Sequence, residues 1–133
     1  MDSTSEDEAR GLNERLNRFE QWVVSKDVRV RAAVSEVTVD RVAEFHLRLH
    51  ASGRDWRLEC CWTDPRDSGT GGNWRRLMES SIDARIQSVR LLPQLLIAMR
   101  LASETLVHRI RHANAVVDQF AASVGMPDVK SET

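Results

Sequence analysis

EFHLRLHASGRDWRLECCWT, residues 44–63, is the stretch whose reading decides the fold. Phe45, Leu47 and Leu49 alternate with His46, Arg48 and His50. After the turn signal SGRD, Trp56, Leu58, Cys60 and Trp62 alternate with Arg57, Glu59, Cys61 and Thr63. Successive side chains of a strand point to opposite faces. Two such runs around a turn signal therefore predict a β-hairpin with one apolar face and one wet face. Parity limits the register, because a slip of one residue would turn a strand's apolar set to solvent. A two-residue turn at Gly53-Arg54, with Gly in the first central position of a type II′ turn, sets Leu49 opposite Leu58, Leu47 opposite Cys60 and Phe45 opposite Trp62. On the wet face it sets Arg48 opposite Glu59. A four-residue loop keeps the parity but opposes Arg48 to Arg57, which is electrostatically worse.

Working back from the hairpin, Val37, Val39 and Ala43 share the parity of Phe45, interrupted by Arg41, so the first strand is expected to run through residues 36–50. VRVRAAV, residues 28–34, suits a short edge strand and would make a three-stranded meander. Earlier still, Leu12, Leu16, Phe19 and Val23 recur at steps of three and four, which predicts an amphipathic helix from Ala9 to about Lys26. Residues 1–8 are small, polar and acidic, and are expected to be a disordered tail.

Beyond the hairpin, residues 64–73, DPRDSGTGGN, predict a loop. Trp74, Leu77 and Met78 open a short helical stretch. Ser80 or Ser81 then caps a better helix through Ile82, Ile86 and Val89. Pro93 is expected to end it, since proline biases the preceding residue away from α and suits a new first turn. A long helix follows from Pro93 to Val124, stopped by Gly125 with Pro127 just beyond. Residues 126–133 are expected to be a flexible tail. The fold class is thus α+β: one domain over residues 9–125, with an N-terminal helix, a hairpin or three-stranded meander, then a short and a long helix packed on one sheet face.

Composition narrows the function. The chain has 133 residues and a net charge of −1, with 41% hydrophobic and 29% charged residues. That is an ordinary soluble balance for one domain, with no global pull toward nucleic acid or membrane. All the basic residues except Lys26 and Lys130 are Arg. The only cysteines, Cys60 and Cys61, are adjacent, so they read as two reduced thiols and point to a cytoplasmic protein. Cys60 falls on the apolar face and Cys61 on the wet one. MDSTSEDEAR lacks the basic-then-apolar order of a signal peptide, and the apolar run Leu91–Met99 is too short to span a bilayer.

The motifs that promise chemistry are weak. HRIRH, residues 108–112, puts two imidazoles on one helix face, the minimum for a shared metal. The helical zinc motif HExxH needs Glu after the first His, and Arg109 stands there. Glu104 is the only nearby carboxylate on that face, and reads as an i,i+4 contact to His108. His46 and His50 share a strand face about 13 Å apart, too far for one ion. DSGTGG lacks the P-loop spacing, no serine sits in GxSxG, and no activating base is evident for either thiol. No catalytic residue, cofactor or metal site is assigned. A metal-dependent function at His108 and His112 is the weakest of three readings.

The leading reading comes from the long helix. Leu92, Leu96, Met99, Ser103, Leu106, Ile110, Ala113, Val117, Phe120 and Val124 step 4-3-4-3, a heptad seam. The first half, LLIAMRLA, is apolar outside the seam too and is expected to be deeply buried. The second half has a polar back, so its stripe closes either on helix 9–26 or on a copy of itself. The expectation is a non-enzymatic cytoplasmic interaction or adaptor module forming a homodimer through Leu106, Ile110, Val117 and Phe120, with an unknown protein partner and no membrane. In outline alone this resembles small bacterial adaptor and secretion-chaperone domains. The second reading is a nucleic-acid module: Trp74, Arg75 and Arg76 form an arginine-aromatic cluster suited to stacking and phosphate contact, with Arg109 and Arg111 as further cations. Trp22, Trp56 and Trp62 align with apolar faces and are expected in the core.

Overall fold

The computed structural model describes residues 3–25, 30–38, 40–64 and 73–127. The readings of residues 1–2, of Val28 and Arg29, of most of the 64–73 loop including SGTGG, and of the tail after Pro127 lie outside them. The fold is α+β. Helix α1 spans Ser3–Val24, strands β1, β2 and β3 span Ala32–Val37, Glu44–Ser52 and Asp55–Thr63, and strand β4 is Arg75–Arg76. A single 3-10 turn, Leu77–Glu79, leads into helix α2, Ile82–Val124. The strands form one antiparallel sheet in the order β1-β2-β3-β4.

The hairpin has the predicted register: Leu49 faces Leu58, Leu47 faces Cys60, Phe45 faces Trp62 and Arg48 faces Glu59. Gly53 has φ +64° while Arg54 keeps a negative φ, which fits the type II′ pattern of one left-handed central residue.

The sheet has four strands rather than two or three, and the strand expected over 36–50 is broken. The chain reverses direction between Val37 and Glu44, which pair with each other, as Glu36 does with Phe45. Asp40 makes the turn: its carboxylate accepts the Thr38 hydroxyl at 2.6 Å and the Val42 amide at 3.1 Å. Both bonds hold the Asp40 carboxyl below its ordinary value. Arg41, the residue that broke the parity, has φ +59°. The turn also reverses the face. In β1 the covered side carries Ala32, Val34 and Glu36, whereas Val37 is exposed.

Both helices cover the same side of the sheet. Leu16 and Val23 of α1, Phe45, Leu47, Leu49, Leu58 and Cys60 of the strands, and Leu91, Leu95 and Met99 of α2 make one core. Helix α1 lies along β3, and α2 crosses β1 and β2. β4 stops at Arg76, opposite Glu59. The next amide along β3, that of Leu58, donates instead to the Glu20 carboxylate of α1 at 2.8 Å. Arg90 of α2 pairs with Glu36 of β1 at 2.9 Å.

Helix α1 starts at Ser3, so residues 3–8 are helical rather than a disordered tail. Glu6 in the first turn complements the helix dipole, and Asp7 pairs with Arg10 one turn on. Pro93 does not divide the C-terminal helices: α2 is one rod of 43 residues with Pro93 inside it. An interior proline costs about 3 kcal/mol relative to alanine. Here Leu91 and Leu95, wholly buried on either side of it, offset that cost at about 1.5–3 kcal/mol each. Ser81 caps the start by accepting the Ala84 amide at 3.2 Å. Gly125, with φ +73°, ends the helix, and the amides of Met126 and Gly125 return to the carbonyls of Ala121 and Ala122, a Schellman close.

Candidate interaction surface

The heptad seam divides at Leu106. Up to that residue the stripe is covered by the sheet, with Leu92, Leu96, Ala102 and Leu106 packed on the core's rim. Past it the helix leaves the body, and every residue from 108 to 120 is exposed. Ile110 is 50% exposed, Val117 54%, Phe120 62% and Val124 58%. Helix α1 does not close the seam, because it lies against β3 and the 3-10 turn. Of the four predicted seam residues, Leu106 therefore belongs half to the core, and Ile110, Val117 and Phe120 stand in solvent on one face. The expected deep burial of the proximal half is only one-sided: Ile97 and Leu101 are about half exposed.

Where the rod leaves the sheet there is an open hollow of about 600 Å³. Val30, Ala51, Gly53 and Trp56 form its wall on the hairpin side, and Ala102, Leu106 and Arg109 its wall on the helix. No sequence period could reveal it, because it joins the turn end of the hairpin to a helix far along the chain.

Trp74, Arg75 and Arg76 do not form a free arginine-aromatic cluster. Pairing with β3 puts Arg76 on the side of Glu59 and Arg75 on the side of Cys60. Trp74 lies half-buried across the uncovered sheet face, with the Arg48 guanidinium 3.9 Å from its ring centroid and His46 at its edge. Such cation–π contact uses the ring face. Arg76 is ion-paired with Asp55, and Arg75 is exposed. Arg109 stands at the hollow, on the helix side of the sheet, so it does not join Trp74 and Arg76.

Arg48 also reaches a buried carboxylate, that of Glu59. Glu59 is 3% exposed and accepts Arg48 Nε at 2.9 Å on one oxygen and Arg57 Nε at 2.9 Å on the other. Burial pushes its carboxyl up, but the bonds from Arg48 and Arg57 outweigh that and hold it below its ordinary value. The predicted Arg48–Glu59 pair is present, while the packing of Trp74 on Arg48 was not readable, since the preceding loop sets no period. His50, nearby on the same face, is lowered by burial and by the Arg48 charge. Cys61, expected on the wet face as an open thiol, is buried, as is Cys60. Burial raises both thiols, against a Ser80 contact at 3.1 Å that lowers Cys60. Trp22 and Trp62 are 49% and 42% exposed, so neither is a core residue. Trp62 packs on Phe45 with ring centroids 4.8 Å apart.

His108 and His112 are exposed on the rod, with Glu104 also exposed. Among the described residues no group of three or more His, Cys, Asp or Glu side chains is placed to hold a metal ion, and no helix is long and apolar enough to cross a membrane. Comparison of the chain with protein-family models, with curated proteins and with solved structures finds no match.

Proposed function

We propose that this protein is a non-enzymatic protein–protein interaction module, an adaptor, that self-associates through the projecting half of α2. The supporting observation is the stripe of Ile110, Val117, Phe120 and Val124 on a rod whose back carries His108, Arg111 and His112. Scattered exposed apolar residues are normal on a surface. A heptad row on a helix that has left its own core is a seam awaiting a partner. Covering it gives back about 25 cal/mol for each Å² of apolar surface removed from water.

Ile110→Glu tests the reading. Ile110 is 50% exposed and lies outside the core cluster, so the body should keep its native tryptophan fluorescence while the mass by light scattering falls from dimer to monomer. A wild-type chain that is already monomeric at tens of micromolar would overturn self-association.

A further inference from the structure

We infer that two copies pair antiparallel along residues 106–124, each placing the C-terminal end of its α2 in the hollow beside Leu106 of the other. This rests on the self-association proposed above and adds its direction, its register and the site it completes.

The body excludes the opposite direction. Leu91, Leu95, Met99, Ala102 and Leu106 face the sheet, and continuing the same steps of three and four brings Ile110, Ala113, Val117 and Val124 to that same side of the rod. The exposed stripe thus looks into the space just past the end of the body. Two parallel rods, seam to seam, would carry both bodies into one space between them. Antiparallel rods carry the bodies to opposite ends and overlap over about 27 Å of helix.

The end of the body then acts as a stop. A partner rod sliding along the seam meets the hairpin turn at Leu106, where the hollow of about 600 Å³ opens. Its walls set Val30, Ala51, Trp56, Ala102 and Leu106 beside Arg31 and Arg109, which suits a helix C-terminus that carries Val124 and the negative end of the helix dipole. With Leu106 level with the partner's Val124, Ile110 is level with the partner's Phe120 and Ala113 with the partner's Val117. Small then meets branched, and the two Phe120 rings never share a layer, as they would in a parallel pair. A parallel pair would also set Arg109, which flanks the seam, level with its own copy. The two helix dipoles also oppose rather than align.

Single thiols placed on the seam test the direction, because Cys60 and Cys61 are buried and do not compete under mild oxidation. Ala113→Cys and Val117→Cys are made as separate full-length chains. Each alone should stay uncrosslinked, and the mixture should give a disulfide-linked heterodimer, identified by its mass. Val124→Glu, at the end that enters the hollow, should raise the dimer Kd at least tenfold. Homodimeric crosslinking of either single variant, a dimer that crosslinks in no combination, or a Val124→Glu dimer of unchanged Kd overturns the antiparallel register while leaving self-association intact. A monomeric wild-type chain removes both.

Discussion

From Ala84 to Leu106 the stripe of α2 lies on β1 and β2, and Leu91 and Leu95 lose all contact with water. From Ile110 to Val124 the same stripe leaves about half of each apolar side chain in solvent. The two halves share one period and one backbone, and their stripes differ in what lies opposite. Length explains the difference. A helix of 43 residues is about 65 Å long, and a strand of nine spans about 30 Å. The sheet can cover only the first half of such a rod. An amphipathic period states that cover is needed, and geometry decides whether the same chain can supply it.

The largest expected effect separates the halves directly. Leu95→Ala leaves a cavity among fully buried neighbours and should lower the unfolding free energy of the body by about 2–5 kcal/mol. Val117→Ala removes a similar apolar group from the projecting half. It should leave the body's denaturation midpoint at low protein concentration unchanged, and weaken only the proposed dimer. Urea titrations followed by tryptophan emission, at two protein concentrations, read both. Equal losses from the two variants at the lower concentration would break the comparison.

The sheet shows why some of this was legible in the sequence and some was not. The β2–β3 register was readable because parity and one glycine turn leave few alternatives. The β1–β2 turn was not, because Val37, Val39, Ala43 and Phe45 keep one parity across it. Only Arg41 broke the pattern, at the residue with φ +59°. Pro93 misled because burial of its neighbours outweighs its local cost, and local preference cannot register that. The seam was legible as a period. The hollow at its base was not, since it needs the hairpin end, Val30 and α2 in one place.

A smaller effect sharpens the contrast from the side of the body. Glu59 sits between Arg48 and Arg57, whose side chains are 25% and 28% exposed. Its folded pKa lies below the ordinary 4.5, so the unfolded chain binds the proton more readily. The pairing therefore contributes stability that is fully present above about pH 4.5 and is lost as pH falls through the depressed folded value. Glu59→Gln should cost about 2–3 kcal/mol at neutral pH, the partial exposure of both arginines keeping it toward the low end for a broken buried pair. It should also flatten the acid limb of the stability profile. Residues 108–120, all exposed, offer no buried pair of this kind. Dimer dissociation measured in the Gln variant should accordingly match that of wild type at pH 7, and a large shift would mean that the two regions are coupled.

The smallest effect asks how far a disturbance travels along the rod. Ser81 accepts the Ala84 amide at 3.2 Å, one of the donors that a helix start leaves unpaired, and Ser81→Ala should cost about 1 kcal/mol. That loss frays the first turns of α2, where Ala84 and Ser88 enter the core. Leu91, Leu95 and Met99 then hold the helix before the disturbance reaches the projecting half. Hydrogen exchange should quicken near residues 82–90 and remain unchanged at residues 110–124, whose protection in the proposed dimer depends on the partner rod. Ile110→Glu should give the converse, with fast exchange beyond Leu106 and an undisturbed start. If Ser81→Ala instead loosens the far end as much as the near one, α2 behaves as a single cooperative unit, and the distinction between a half held by the sheet and a half held by a second chain fails.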